Sequence, residues 1–387
     1  MKNKIYFDYA STTPIAKEVK QDMGAALEDD LLGNASSLDH EFGVDASQAI
    51  ELARQDIAEL INAETAEIIW TSGATESNNL ALYGVCNFKP QGQPLSIASS
   101  YTEHKSVIEP LMQLKRKGHR VEFIQPNKHG YLEPASIAKM LDSGCDLFSC
   151  MHVNNEIGSV NDIALIGSMC RERNIIFHVD AAQSIGKLPL DVKQNNIDLM
   201  SLSAHKIYGP KGIGALYINR KTMRNIIKPI TFGGGHEKGL RPGTLPVHNI
   251  VGFGEACHIA KKELEKNYTF IDSLTNLMLD KLSKGFGEIT VNGSKEFRIP
   301  GNLNISFSNL KQEPLIQRIK KIAVSSGSAC TTSNPEPSHV LRALGISKSL
   351  INSTIRIGIG KFNTENEIEN AADYILKIVN KLKINKR

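Results

Sequence analysis

A chain of 387 residues with 41% hydrophobic content is long enough to bury a large core, and its size suggests two domains or one domain with an elaboration. The 45 basic residues nearly balance 41 acidic ones, and the net charge of +4 is spread along the chain, so no sequence-wide field argues for nucleic acid. The N-terminal apolar segment is far too short for a signal peptide and no later stretch approaches membrane-spanning length, so secretion and membrane insertion are not expected.

From about Glu67 to Tyr217, short apolar runs alternate with longer amphipathic segments, the pattern of strand and helix units in a mostly parallel sheet. Glu67-Ile68-Ile69-Trp70 reads as a strand, Ala74 to Phe88 as a helix and Leu95 to Ser99 as a strand. Leu147 to Val153, Ile175 to Val179 and Leu199 to Ser201 continue the series. Parallel strands bring their carboxyl ends to one edge, where ligands bind. After Gly235 the texture changes: Arg241-Pro242-Gly243-Thr244 precedes a long helical stretch, roughly Val247 to Leu282, with proline near its start, which reads as a bridge between domains. The remainder, Ile289 to Lys383, mixes short strands (Leu303 to Phe307, Ser353 to Ile357) with helices, as an α+β domain does. The basic end from Lys377 reads as a solvated last helical turn. The expected fold is α/β, with a large domain over residues 16–259 built on a mostly parallel sheet and a smaller α+β domain from 1–15 and 260–387.

Residues able to carry chemistry fall just beyond these runs. Thr71-Ser72-Gly73-Ala74-Thr75-Glu76 joins a strand to a helix, so its backbone N–H groups and small hydroxyls can surround a phosphate. It matches neither a Walker A loop nor G-x-G-x-x-G, which argues against a nucleotide, and an ordinary N-cap competes with the phosphate reading. His104 follows another strand at the same edge, where its ring can stack on a cofactor or shuttle protons, although a lone histidine is more often structural. In His152-Val153-Asn154-Asn155-Glu156-Ile157-Gly158 the amide of Asn155 suits a phenolic oxygen or a carboxylate, or simply serves a turn, and Gln183 has the same ambiguity.

Asp180 ends the run from Ile175, and Lys206 follows the run Asp198 to Leu202 ahead of the turn Tyr208-Gly209-Pro210-Lys211-Gly212. An acid and an amine delivered by the ends of buried strands suit pyridoxal phosphate, which bonds a lysine as a Schiff base and needs a carboxylate at its ring nitrogen. Charged residues also end strands merely because the chain emerges into water. The six cysteines form no C-x-x-C pair, which argues against a zinc knuckle or dithiol motif and fits reduced thiols. Cys86, Cys170 and Cys257 read as buried hydrophobes. Cys330 lies in a run of small polar residues, Val324 to Pro335, and reads as a nucleophilic thiol on an exposed, mobile loop.

In this order, from Asp8 to about Gly360, the segments resemble the cysteine desulfurases of the IscS and NifS kind, pyridoxal phosphate enzymes of fold type I in the class V aminotransferase group. The long loop after Ser325 is similar to that of the group I branch. The resemblance implies that Lys206 carries the cofactor, Asp180 pairs with the pyridine nitrogen, His104 stacks on the ring and Gln183 contacts the ring oxygen. Ala74, Thr75, Ser203 and His205 would hold the phosphate, with Thr244 reaching in from the second subunit of a homodimer. Asn155, which also borders the cofactor, and Arg356 would hold the substrate carboxylate.

The implied reaction converts L-cysteine to L-alanine. Released Lys206 moves a proton from the α-carbon, and the Cys330 thiolate takes the sulfur as a persulfide for an acceptor protein, either an iron–sulfur scaffold or a tRNA-thiolation protein. A cytoplasmic location is implied, with no direct nucleic-acid or membrane partner. No metal is expected on the chain, Cys330 meeting at most a nascent iron–sulfur cluster on a partner. A selenocysteine lyase, or another lyase or aminotransferase on this scaffold, is the nearest alternative; a non-catalytic sulfur-trafficking subunit is a more distant one. Three departures from the family pattern stand out: Pro242 in place of serine, Ala204 in place of glycine, and an end at Arg387, short of the tail with which housekeeping members dock their scaffold.

Overall fold

The computed structural model describes residues 5–28, 31–87, 93–223, 226–311, 314–326 and 337–384. After a short entry strand, β1 (Ile5–Tyr6), the chain builds a seven-stranded sheet. Its strands are β2 (Ile68–Thr71), β3 (Ser96–Ser100), β4 (Arg120–Ile124), β5 (Leu147–Met151), β6 (Ile176–Asp180), β7 (Leu199–Ser203) and β8 (Gly214–Ile218), in the order β2-β8-β7-β6-β5-β3-β4. Neighbours from β7 to β4 are parallel, while β8 runs antiparallel to both β7 and β2. The carboxyl ends of β2, β3, β5, β6 and β7 therefore share one edge. Helices cover both faces, which is why β5, β7 and β8 are apolar runs buried along their whole length and do not alternate.

A second, antiparallel sheet of β9 (Ile289–Val291), β10 (Asn302–Phe307) and β12 (Thr354–Gly358) has the order β12-β10-β9, and β11 (Ile322–Ala323) pairs in parallel with β1. The helix Val247–Phe286 joins the two sheets' cores. Its first half buries Ile250, Phe253 and Cys257 with Ile57 and Trp70, and its second half buries Leu274, Met278 and Leu282 with Phe307, Ile357 and Ile375. Gly254 lets this helix meet Glu41–Leu60 closely: a Cβ there would stand 2.6 Å from the Ala53 Cα.

The bridging helix runs four residues beyond the expected Leu282 and stops at Gly287, whose φ is +89°. Its N-cap is Pro246, the proline expected near the helix entry. β7 continues to Ser203, and Ala204 opens a single 3₁₀ turn without positive φ, so the missing glycine costs no backbone strain.

The N-terminal segment is a strap between the two sheets. Phe7 donates its N–H to Ala323 and accepts from Gly358, while Thr13 N–H reaches the carbonyl of His205. Among the described residues no helix is long and apolar enough to cross a membrane, and no group of His, Cys, Asp and Glu is arranged to hold a metal ion.

Candidate active site

The shared strand edge and the strap enclose a cavity of about 490 Å³. Ala74, Thr75, His104, Asn155, Asp180, Gln183, Ser203, His205, Lys206 and Arg356 all line it, so the expected residues from one chain converge. Cys330 lies outside the described residues. Thr244 is exposed and does not reach this chain's own cavity.

At one end of the cavity β2 breaks at Gly73 (φ +149°) into the helix Ala74–Cys86. The amides of the first turn have no intrahelical carbonyl and sit at the positive end of the helix dipole. Ser203 borders the same turn, its Oγ 3.9 Å from where a Gly73 Cβ would stand. His205 closes this end, its Nδ1 3.1 Å from Thr12 Oγ1. Burial first, then the charges of Lys206, Lys211 and Lys187, lower its pKa to about 4, so it offers a neutral imidazole. Glu76 bonds the Ser72 N–H at 2.6 Å and Arg241 Nε at 3.0 Å, which ties the segment leading to Thr244 to this turn.

Lys206 reaches in from the end of β7, where its Nζ donates to the carbonyls of Ala10 and Ser11, each at 2.7 Å. Burial and the nearby Lys187 and Arg356 lower its pKa to about 7. Asp180, on the last step of β6, is buried, with one carboxylate oxygen accepting from Asn78 Nδ2 at 2.9 Å and the other from Ala182 N–H at 3.0 Å. The Gln183 amide donates to Ala10 O at 2.9 Å. His104 is the N-cap of the helix Lys105–Arg116, its Nδ1 accepting from Ser106 N–H at 3.1 Å.

Arg356 comes from the middle of β12 and is only 1% exposed. Its guanidinium is set by Asn155 O at 2.8 Å, Asp8 Oδ1 at 2.9 Å and Ser11 Oγ at 2.7 Å. The turn function considered for Asn155 belongs to Asn154, whose Oδ1 accepts from the Glu156 and Ile157 N–H groups at 2.9 and 3.0 Å. Asn155 is thereby left to border the cavity.

Several residues around the site went unread in the sequence. Glu103 is fully buried and accepts from Met151 N–H at 2.8 Å; burial and the charge of Asp180 hold its pKa well above the carboxylate range, so it stays protonated. Glu156 accepts from the Ser338 hydroxyl at 2.5 Å, and His339 Nε2 donates to Glu103 O at 2.9 Å, joining the helix His339–Ala343 to the cavity wall. Asp8 stands near the start of the chain, and Asn78 lies inside a helix. Neither position carries a pattern that marks it before folding brings it to the cavity.

The donor set fits pyridoxal phosphate. A helix N-terminus with Ser203 and a neutral His205 suits a phosphate, Asp180 suits a ring nitrogen, and an amine of lowered pKa suits a covalent link.

Known proteins resemble this chain along its length. The family model described as aminotransferase class-V matches residues 5–371. The chain is similar to the cysteine desulfurase IscS of Pseudomonas entomophila strain L48, 50% identical over 384 residues, 99% of this chain and 94% of that protein. Among solved structures it is similar to a NifS-like protein, with a TM-score of 0.89, 31% identity and coverage of 98% of this chain and 100% of that one. It is also similar to SspA in complex with cysteine, with a TM-score of 0.82, 34% identity and coverage of 93% and 100%.

Proposed function

The chain belongs to the class-V aminotransferase family, and from that premise we propose how its residues divide the work of a pyridoxal phosphate-dependent cysteine desulfurase. The activity turns L-cysteine and a protein thiol into L-alanine and a protein persulfide, which supplies sulfur onward. The observation that carries this reading is the convergence of an amine, a pinned carboxylate and an anion-binding turn on one cavity. When bound, the cofactor supplies an electron sink that loosens bonds at and beside the substrate α-carbon.

The rest falls to the protein. Ala74, Thr75, Ser203 and a neutral His205 would hold the phosphate, Asp180 would pair with the ring nitrogen, Gln183 with the ring oxygen, and His104 would stack on the ring. Lys206 would carry the cofactor, and its amine, whose pKa burial lowers to about 7, would be the base that takes the α-proton. Arg356 and Asn155 take the substrate carboxylate, and the setting of the guanidinium by Asp8 and Ser11 spares the cost of ordering it.

Cys330 is the sulfur acceptor. Supporting this, the other five cysteines are buried or half-buried, and burial raises every one of their pKa values, to about 12 at Cys86 and about 11 at Cys145, so none is a thiolate at neutral pH.

We assign the cofactor to a unit of residues 16–259 and the cysteine loop to a unit formed by 1–15 and 260–387. We assign the enzyme to the cytoplasm, as a homodimer that hands its persulfide to an iron–sulfur scaffold or a tRNA-thiolation protein. The exposed apolar side chains Leu27, Leu32, Phe42, Leu52 and Phe232 support self-association. In the test, Cys330→Ala keeps the visible absorption of the bound cofactor but forms no persulfide, and Lys206→Ala loses the covalent link. Undiminished sulfide release by Cys330→Ala would remove the nucleophile assignment.

A further inference from the structure

Asp180 and His104 are joined by two side chains to which no role has been given. Asn78 is wholly buried, and its Nδ2 donates to Asp180 Oδ2 at 2.9 Å and to Ser106 Oγ at 2.8 Å. Ser106 is also buried, with its Oγ 2.8 Å from His104 Nδ1, the atom that already accepts the Ser106 N–H.

The directions of these bonds follow from the chemistry of the groups. An ionised carboxylate only accepts, so Asn78 must turn its NH₂ toward Asp180. The cost of that orientation is visible, because the Asn78 Oδ1 is buried without a partner. Flipping the amide would press that oxygen against Asp180. The second amide hydrogen goes to Ser106 Oγ, and because His104 Nδ1 already accepts the Ser106 N–H, the proton between Oγ and Nδ1 has to be the hydroxyl's own. The ring nitrogen thus meets two donors from Ser106 and can carry no proton of its own.

We propose that Asn78 and Ser106 are positioning residues that relay the hydrogen bond accepted by the Asp180 carboxylate to His104 and fix it as the neutral imidazole with its proton on Nε2. The consequence is a division of labour: in this state His104 can give a hydrogen bond or a proton from Nε2 but cannot act as a base there, which leaves α-proton abstraction to Lys206. The charged and titratable groups facing the ring are Asp180 on β6, Lys206 beyond β7, His339 on the helix His339–Ala343, and Glu109 one turn along its own helix. Burial opposes protonation of the ring, and Lys206 and His339 add to that, while Asp180 and Glu109 work against it.

The proposal rests on the assignment of His104 to the cofactor ring, and its test separates the two. Holoenzyme and cofactor-free protein labelled with ¹⁵N-histidine are compared by NMR, with His104 identified by its loss in His104→Gln. The expected signal is an unprotonated Nδ1 and a protonated Nε2 in both forms. Ser106→Ala and Asn78→Ala should move the ring toward the other tautomer and the imidazolium. They should also shift the acid limb of the single-turnover rate to higher pH and slow that rate about fivefold, the worth of one hydrogen bond. Ser106→Thr, which keeps the hydroxyl, should restore both readouts.

A protonated Nδ1 in the wild type would overturn the proposal, and so would tautomer and pH profile unchanged in folded Ser106→Ala. A His104 resonance indifferent to cofactor loading, with Nδ1 still unprotonated, would instead remove the stacking assignment and leave the relay standing.

Discussion

Lys206 shows how a single side chain is prepared by what surrounds it. In the unfolded chain its amine keeps a proton up to about 10.5, whereas in the fold it releases it near 7. Below that window both states are protonated and the fold bears the cost of burying the charge; stability returns as the pH rises from about 7 to about 10.5. Cofactor-free Lys206→Met should therefore melt higher than the parent at pH 7, with the gain shrinking toward pH 10, as read by scanning calorimetry. Arg356 is prepared in a different way, by Asp8 and Ser11. Asp8→Asn keeps the shape but removes the charge, and steady-state kinetics should show KM for L-cysteine rising about tenfold with kcat little changed, the mark of lost ground-state binding. Lys206 and Asp180 were legible in the sequence because each follows an apolar run read as a buried strand and stands in an ordered series of motifs; alone, either would have passed for a charge at a strand end. Asn78, Glu103 and Asp8 were not, because a polar residue in a helix, beside another motif residue or near a terminus looks like any surface residue until the chain has closed around it.

Among the elements, the junction of β2 with the helix Ala74–Cys86 carries the greatest functional demand. Gly73 has room for a Cβ, with nothing nearer than 3.9 Å, so its requirement for glycine is conformational and comes from its φ of +149°. Gly73→Ala should leave the fold intact but tilt the first-turn amides, weakening cofactor affinity about tenfold by fluorescence titration, in line with a strain of roughly 1–3 kcal/mol. The strand order could not be read from the sequence, because apolar runs of equal length are interchangeable until helices select their neighbours. The antiparallel insertion of β8 between β2 and β7 is the clearest example. The bridging helix was legible by its length. Its end was not, because Phe286 lies in the second core, out of reach of the local pattern that suggested Leu282.

At the scale of the whole molecule, Arg54 and Glu237 form a buried two-point ion pair, and Glu237 also accepts the Trp70 N–H, which anchors the segment leading to Thr244. Thr244 itself faces outward. On the proposed homodimer it would serve the partner's phosphate, and Phe232, 87% exposed, would be covered by the partner. Phe232→Asp should then weaken self-association by about tenfold or more in sedimentation and loosen the cofactor with it, as a buried aromatic anchor at an interface does. Cofactor retention independent of association would refute the shared site. The central claim is that this cavity moves sulfur from L-cysteine to Cys330. It is tested most directly by incubating the holoenzyme with L-cysteine and mass-analysing its cysteine peptides together with the alanine formed. The expected result is one added sulfur on the Cys330 peptide for each alanine released in the first turnover; alanine formed with the sulfur on another cysteine, or on none, would contradict it.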